Sequence, residues 1–247
     1  MTLSLTVLGC SGSYAGPDGA CTGYLVQSAE ASVWLDAGPG TLANLQKHLD
    51  LADLDALILT HEHADHWLEV PVLANALRYY VERLGFPVFS NASTRELAAR
   101  VMDDPVGAAE VYNWTTVKEG SAITIGDQTW TFAETEHYVP TLATRVDCGD
   151  RSMIFTSDTG PGWSPTSLGD SPDVLLCEST FAVRSGDLEI QHLSATEAGG
   201  KAAECHAGKL VLTHHAPGED PAEHMALAAE VYDGPIESAS IGMRLPI

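Results

Sequence analysis

Residues 60–67, "THEHADHW", place four possible metal ligands within six positions directly after the apolar run "ALIL". Three of these ligands are histidines, His61, His63 and His66, and the fourth is Asp65. So dense a cluster rarely arises from packing alone, because histidine is uncommon and seldom repeats at this spacing. The stretch therefore predicts a metal site, on the condition that other strands deliver further ligands to the same place.

Three later strand ends carry such residues. His137 follows "WTFAETE", Asp158 follows "MIFTS", and His214 follows "KLVLT" with His215 beside it. A strand anchors each side chain and the following loop exposes it, which is what coordination requires. We choose His214 over its neighbour because it comes first after the strand. Together with the first cluster, these residues suit two divalent ions about 3.5–4 Å apart that share a carboxylate.

Each later ligand also has an ordinary structural explanation. A single histidine such as His137 is more often packed than metal-bound, and Asp158 in "SDTGP" is also typical of a turn. Ligation is favoured because the other ligands accompany them, and because a bridging carboxylate is otherwise missing. Three further histidines lie on polar, helical stretches and are predicted to face solvent: His48, His206 and His224.

The composition limits the partners. The net charge is -22, from 12 Lys+Arg against 34 Asp+Glu. Proteins that bind large nucleic acids neutralise phosphates with a basic surface, and no basic stripe is visible here. An acidic surface that keeps the protein dissolved explains most of this charge. A small anionic substrate remains compatible with it, because divalent metal ions would offset the negative charge locally.

The length and the cysteines predict one cytoplasmic α/β domain over residues 1–247. The chain has 45% hydrophobic residues, which is enough for a core. No stretch approaches the roughly 20 apolar residues of a membrane helix, and the N-terminus begins with a strand pattern. The five cysteines contain no C-x-x-C pair, which indicates reduced thiols.

Strand and helix patterns alternate in both halves of the chain. Helices are predicted at residues 40–49, 70–84, 94–102, 195–206 and 221–231, and the remaining apolar runs are typical of strands. Two β-sheets packed face to face with helices outside would satisfy this order. The Gly-rich loop at residues 9–23 is interpreted as a simple turn.

The sequence resembles the metallo-β-lactamase superfamily over nearly its whole length. "HEHADH" matches the H-x-H-x-D-H motif of that family, and "VWLDAGPGT" and "FTSDTGP" are similar to its other motifs in the expected order. The resemblance implies an αββα sandwich, and it implies that Asp36 steadies the metal loop without touching metal. It also implies the following ligands: His61, His63 and His137 for one metal, Asp65, His66 and His214 for a second, and Asp158 between them.

The segment "QHLSATEAGG" resembles ribonuclease Z and its cyclic-nucleotide phosphodiesterase relatives. This resemblance implies that His192 is the general acid. A loop histidine beside a helix N-cap at Ser194 or Thr196 is an equally good interpretation. The presence of Asp65 and His66 and the absence of a cysteine at position 158 point away from the antibiotic-hydrolysing branch and towards phosphodiesterases.

These observations predict a phosphodiesterase that cleaves a small phosphodiester, such as a cyclic nucleotide, with hydroxide formed between two metal ions. Asp65 would orient the nucleophile and His192 would protonate the leaving oxygen. Zinc is favoured by the imidazole-rich ligand set, and the carboxylates leave manganese open. No basic insertion of the kind that grips transfer RNA lies between His137 and His192, which disfavours large RNA.

Three alternatives remain at this stage. A ribonuclease Z-type transfer RNA endonuclease and a thioester or lactone hydrolase would both use the same metals. A metal-binding sensor without turnover is the third, and the full set of ligands argues against it. The resemblance also allows a homodimer, although the sequence identifies no contact surface for one.

Overall fold

Two seven-stranded β-sheets form the inner layers of the computed structural model, which describes residues 2–102, 108–184 and 190–247. The strands of the first half are β1 (Ser4–Gly9), β2 (Gly23–Gln27), β3 (Ser32–Leu35), β4 (Ala56–Leu59), β5 (Phe86–Ser90) and β6 (Tyr112–Thr116). The second sheet contains β7 (Ala122–Ile125), β8 (Gln128–Glu134), β9 (Leu142–Cys148), β10 (Arg151–Phe155), β11 (Val174–Glu178), β12 (Leu210–Thr213) and β13 (Ile236–Ser238). The last strand, β14 (Arg244–Pro246), pairs with β1 and so returns to the first sheet.

Helices cover the outer faces of both sheets. They are α1 (Thr41–Leu45), α2 (Ala64–Trp67), α3 (Val70–Ala76), α4 (Ala92–Val101), α5 (Ala108–Val111), α6 (Ala195–Glu204) and α7 (Pro221–Ala228). A π-helical turn at Leu77–Val81 continues α3, and short 3-10 turns lie at Leu51–Asp53 and Pro165–Leu168. The predicted αββα sandwich is therefore confirmed. No helix within the described ranges is long and apolar enough to cross a bilayer.

Strand β4 illustrates why both faces of the first sheet are apolar. Its sequence "ALIL" is completely buried, with Ile58 in the core between the sheets and Leu57 in the core under the outer helices. Side chains alternate between the two faces of a strand, so a strand covered on both sides is apolar throughout. Tyr24 ties the two sheets together, because its ring contacts Phe155 at 5.1 Å and its hydroxyl lies 2.6 Å from that of Thr213.

All five predicted helices end earlier than the sequence pattern indicated. The helix predicted at 70–84 ends at Val81, because Glu82 adopts a left-handed conformation with φ 55°. The helix predicted at 195–206 ends at Glu204, and left-handed His206 (φ 52°) follows. A left-handed residue breaks the helical hydrogen-bond ladder and terminates the helix. The helices predicted at residues 40–49, 94–102 and 221–231 end at Leu45, Val101 and Ala228.

The prediction that His224 faces solvent is wrong, whereas His48 and His206 are exposed as predicted. Helix α7 turns His224 onto the second sheet, where its side chain is fully buried. Its Nδ1 lies 2.6 Å from the Ser179 hydroxyl, and its Nε2 lies 3.1 Å from a carboxylate oxygen of Glu219. Both ring nitrogens of His224 therefore have hydrogen-bond partners, so the ring is buried without an unpaired polar atom.

The topology places the candidate ligands at one edge of the sandwich. Strands β3 to β6 are mutually parallel, and so are β10 to β13. Strand β8 also runs parallel to β10, because both are antiparallel to β9 between them. The carboxyl ends of β4, β8, β10 and β12 therefore deliver the loops that carry the predicted residues, and this edge is where sites form in such folds.

Candidate active site

The loop after β4 is held from behind by a buried aspartate. The Asp36 carboxylate accepts hydrogen bonds from the Thr60 amide and hydroxyl, both at 2.8 Å. It also lies 2.8 Å from Nδ1 of His66, which leaves Nε2 of that ring directed into the site. A carboxylate behind a ligand histidine fixes its tautomer and orientation. The role that the resemblance implied for Asp36 matches these contacts.

The first candidate metal group contains His61, His63, His137 and Asp158, whose ligand atoms all lie within 4.8 Å of one another. The Nδ1 atom of His63 lies 3.1 Å from Nε2 of His61 and 3.1 Å from Nε2 of His137. One carboxylate oxygen of Asp158, Oδ2, lies 3.5 Å from the His61 ring nitrogen and 3.7 Å from that of His137.

The second candidate metal group contains Asp65, His66 and His214. The two Nε2 atoms of its histidines are 3.2 Å apart, and Oδ2 of Asp65 lies 3.6 Å from His66 and 3.3 Å from His214. The other oxygen of Asp158, Oδ1, lies 3.3 Å from each of these two histidines. Each carboxylate oxygen of Asp158 therefore faces a different group.

The donor set fits divalent cations. Oδ1 of Asp158 is buried and has no hydrogen-bond partner among the described residues, although it is surrounded by ring nitrogens. Several imidazole nitrogens also converge at about hydrogen-bond distance, where lone pairs repel unless a proton or a cation lies between them. Nitrogen and carboxylate donors in this arrangement are typical ligands of zinc and of manganese. All seven predicted ligands are brought together in the two groups.

His214 and His215 point in different directions. His214 directs Nε2 into the site and places Nδ1 3.0 Å from the Thr180 hydroxyl. His215 turns away, with its ring nitrogens 3.0 Å from the Ser179 carbonyl oxygen and 2.9 Å from the Ser238 hydroxyl. His214 also has a left-handed backbone conformation, with φ 59°.

Three other residues that adjoin the ligands share that conformation, among them Ser13 with φ 62°. Asp36 has φ 57° and Ser157, which precedes Asp158, has φ 52°. A non-glycine residue in this region costs about 1–3 kcal/mol, and such strain concentrates at functional sites. The packed ends of the strands hold these conformations at the edge of the site.

The Gly-rich loop at residues 9–23 does more than turn the chain. The Ser13 amide donates a 2.7 Å hydrogen bond to Oδ2 of Asp65. Gly12 packs so tightly on His214 that an added Cβ would lie 2.6 Å from its Nδ1. Only glycine fits at this close approach, so the loop forms a wall of the second metal group.

Burial and charge set the protonation of the ligands. Burial lowers the pKa of His61 to about 3 and that of His137 to about 4. Burial would raise the pKa of Asp158, but His214, His66 and His61 outweigh it and hold that pKa well below its ordinary value. Neutral histidines and an ionised carboxylate are the forms that bind metal. His66 differs, because Asp158, Asp65 and Asp36 overcome burial and raise its pKa well above the ordinary value.

These shifts predict an acid-labile fold in the protein stripped of metal. His61, His137 and His215 have pKa values of about 3, 4 and 4, each lowered mainly by burial, against 6.5 in an exposed histidine. The unfolded chain therefore binds more protons below pH 6.5, and each histidine reduces the free energy of unfolding by about 1.4 kcal/mol per pH unit as the pH falls from about 6.5 toward 4. The raised pKa values of His66 and His192 act mainly above this window. Urea unfolding of chelator-treated protein at about pH 7 and about pH 5 measures the effect, and equal free energies of unfolding would contradict it.

His192 joins the edge of the site and is held by Glu178. Its Nδ1 lies 3.1 and 3.3 Å from the two carboxylate oxygens of Glu178 and 4.0 Å from Oδ2 of Asp158. Burial alone would lower the pKa of His192, but Glu178 and Asp158 raise it to about 9. Its ring stacks on His214 at 5.5 Å. His192 also precedes the N-cap residue Ser194 of α6, so the N-cap interpretation describes its place correctly as well.

The sequence analysis missed Glu178 and Thr180. Glu178 is completely buried, and it accepts hydrogen bonds from the hydroxyl of Thr180 at 2.7 Å and from the Leu193 amide at 3.2 Å. The signal was present, because "CEST" follows an apolar strand in the same way as the predicted ligands do. A third group of possible ligands, Asp158, His192 and His214, also lies within 4.8 Å, so the geometry alone allows His192 a ligand role.

The chain is similar to several known proteins over most of its length. The family model of the β-lactamase superfamily domain matches residues 32–215, which include every candidate ligand. The chain is 31% identical over 249 residues to the uncharacterized protein Rv1339 of Mycobacterium tuberculosis, covering 96% of this chain and 90% of that protein. It is 28% identical over 218 residues to the probable metallo-hydrolase YhfI of Bacillus subtilis, covering 86% of each. A ribonuclease Z of Mycobacterium bovis is 26% identical over 268 residues, covering 95% of each. The crystal structure of YhfI matches with a TM-score of 0.90 at 25% identity, over 100% of both chains.

Proposed function

This chain belongs to the β-lactamase superfamily, and we propose that it is a metal-dependent hydrolase that cleaves a small phosphodiester, such as a cyclic nucleotide, at a centre of two divalent ions. The observation that carries the proposal is the position of Asp158. Its Oδ2 faces one group of histidines at 3.5 and 3.7 Å, and its Oδ1 faces the other group at 3.3 Å. A carboxylate placed in this way is the usual bridge of a two-metal hydrolytic site.

The ligand sets follow from the two groups. His61, His63 and His137 would hold one ion, Asp65, His66 and His214 the other, and Asp158 both. When bound, two such cations lower the pKa of a water molecule to near neutrality and neutralise charge on the phosphoryl oxygens. Zinc suits this imidazole-rich set, and manganese suits its carboxylates.

His192 is suited to supply the proton that the leaving oxygen needs. The Glu178 carboxylate is a hydrogen-bond partner of Nδ1 of His192. No described residue forms a hydrogen bond with Nε2 of His192, so the Nε2 proton is available to a substrate. The raised pKa, about 9, keeps the ring protonated at neutral pH. Asp65, which accepts a 2.7 Å hydrogen bond from the Ser13 amide, would orient the attacking water.

The charge of the protein favours a small substrate. With 34 acidic against 12 basic residues, its net charge of -22 opposes binding of a long polyanion. A cyclic nucleotide carries a single phosphodiester, so its binding does not require an extended basic surface. The identity of 26% with a ribonuclease Z over 95% of the chain is the observation that keeps precursor transfer RNA as the second candidate.

A substrate comparison tests the proposal. Protein loaded with zinc or with manganese is assayed on a cyclic nucleotide, a linear dinucleotide, a precursor transfer RNA and an acyl thioester. We expect the highest kcat/KM on the cyclic nucleotide, and none of this activity in an Asp158→Ala preparation purified in parallel. Turnover of the thioester alone would refute the phosphodiesterase, and cleavage of the transfer RNA alone would establish the second candidate.

A further inference from the structure

Arg184 lies beside the site and forms hydrogen bonds with the chain that carries His192. Its Nη1 donates to the Ile190 carbonyl oxygen at 2.7 Å, and its Nη2 donates to that of His192 at 2.5 Å. The guanidinium therefore binds the carbonyl oxygens of the residues directly before and directly after Gln191. Arginine suits this task because its planar fork presents several donors in fixed directions.

The guanidinium is itself held by the first turn of α6. Nε and Nη2 of Arg184 donate to the two carboxylate oxygens of Glu197 at 3.1 and 2.9 Å. The same carboxylate accepts from the amide and hydroxyl of Ser194 at 2.8 and 2.9 Å, which completes the capping box of the helix. These contacts attach Arg184 to the first turn of α6, in addition to its hydrogen bonds with the carbonyl oxygens of Ile190 and His192.

The opposite side of residues 190–193 is attached to the site. The carbonyl oxygen of Gln191 lies 2.9 Å from Nδ1 of His137, and its amide donates to the Tyr138 hydroxyl at 2.9 Å. The segment is thus held between Arg184 and a candidate metal ligand. A segment fixed on both sides presents His192 in one orientation.

A plain surface ion pair explains these contacts less well. The Arg184 side chain is 28% exposed, and half of its hydrogen bonds go to main-chain carbonyls rather than to Glu197. By contrast, Arg151, the first residue of β10, is 46% exposed, and among the described residues its side chain pairs with the carboxylates of Asp173 and Asp150. The two arginines therefore form a matched pair for an experiment.

We infer that Arg184 is a positioning residue, which fixes the backbone of residues 190–193 and so directs His192 toward the scissile phosphodiester. The inference rests on the proposed function for its catalytic consequence, but its structural part does not. Arg184 touches no reacting atom. Its removal should leave the metal ligands in place and misdirect only the proton donor.

The experiment compares Arg184→Ala and Arg184→Lys with Arg151→Ala. Hydrogen exchange of the peptide that contains residues 190–193, measured by mass spectrometry, should speed up in both Arg184 variants and stay unchanged in the control. We expect kcat to fall about 10–100-fold, the range for removing an outer partner of a catalytic or metal-binding group, with KM within about twofold of wild type and metal content unchanged. Circular dichroism confirms that each variant is folded.

Chemical rescue gives a readout that a general loss of packing would not produce. Arg184 borders an open cavity of about 550 Å³ together with Glu136, Gln191 and Glu197, so free guanidinium can reach the vacated place. Millimolar guanidinium should restore part of kcat to Arg184→Ala and none to Arg151→Ala, and urea should restore neither.

The outcomes separate this inference from the proposed function. Unchanged exchange of residues 190–193 in both Arg184 variants overturns the inference, whatever the wild type hydrolyses. The inference is supported if residues 190–193 exchange faster in the Arg184 variants, kcat and kcat/KM fall by the same factor, and guanidinium restores part of kcat to Arg184→Ala. If the wild type hydrolyses no phosphodiester but exchange still rises, the proposed function fails and the backbone role of Arg184 stands. Faster exchange with unchanged kcat overturns the catalytic part.

Discussion

Asp158→Ala is expected to reduce bound metal from two equivalents to less than one and to lower turnover by more than about 10²-fold, the upper loss for removing a residue that only supports a ligand. Both oxygens of Asp158 face ring nitrogens, Oδ2 toward His61 and His137 and Oδ1 toward His66 and His214. Alanine removes a ligand from each group at once. The substitution also removes a buried negative charge that would stabilise cations between the facing imidazole rings, so metal binding should weaken further.

Metal analysis by mass spectrometry, combined with turnover of the substrate found for the wild type, measures this effect. Asp158→Asn separates the two oxygens, because an amide offers one oxygen ligand and one nitrogen donor; we expect it to retain one equivalent of metal. Asp147→Ala is a matched control, since Asp147 is 42% exposed and pairs with Arg145 at 2.9 Å on strand β9. An Asp158→Ala protein that still binds two equivalents would refute the bridge.

The sequence predicted the parts of the site that follow from a local rule. An apolar strand that ends in a ligand identified His61, His137, Asp158 and His214, because parallel strands bring their carboxyl ends to one edge. Both the rule and the family motif depend on local sequence and do not require knowledge of how the helices pack on the sheets. The same rule applied to "VLLCE" would also have identified Glu178, which lies at the end of β11.

The parts that were missed depend on contacts between distant segments. His224 has polar neighbours in sequence, and only the packing of α7 on the second sheet brings it to Ser179. The Ser13 amide reaches Asp65 across a separation of 52 residues, so no turn pattern indicates it. Arg184 likewise contacts a segment whose path is fixed by tertiary structure. Side-chain pairing of this kind is decided by the global fold and has no periodic signal in the sequence.

His192→Ala is expected to lower kcat by about 10²–10⁴-fold on a cyclic nucleotide, the range for loss of a general acid, while two equivalents of metal remain bound. The leaving group of a cyclic nucleotide is a ribose alkoxide, which must be protonated as the bond breaks. The leaving group of bis(p-nitrophenyl) phosphate is a weakly basic phenolate that departs without a proton. We therefore expect a much smaller loss on the second substrate, and the ratio of the two losses measures proton donation by His192.

Two controls distinguish proton donation from metal binding and from packing. His206→Ala removes a histidine that is 73% exposed and whose ring pairs with Asp170, and it should change neither the ratio of the two losses nor the metal content. Glu178→Gln keeps the shape of the partner of His192 but removes the charge that raises the pKa of His192 to about 9, so the basic limb of the pH–kcat profile should move to lower pH. Equal losses on both substrates, or loss of one metal equivalent in His192→Ala, would show that His192 acts as a ligand in the group formed with Asp158 and His214, and not as the acid.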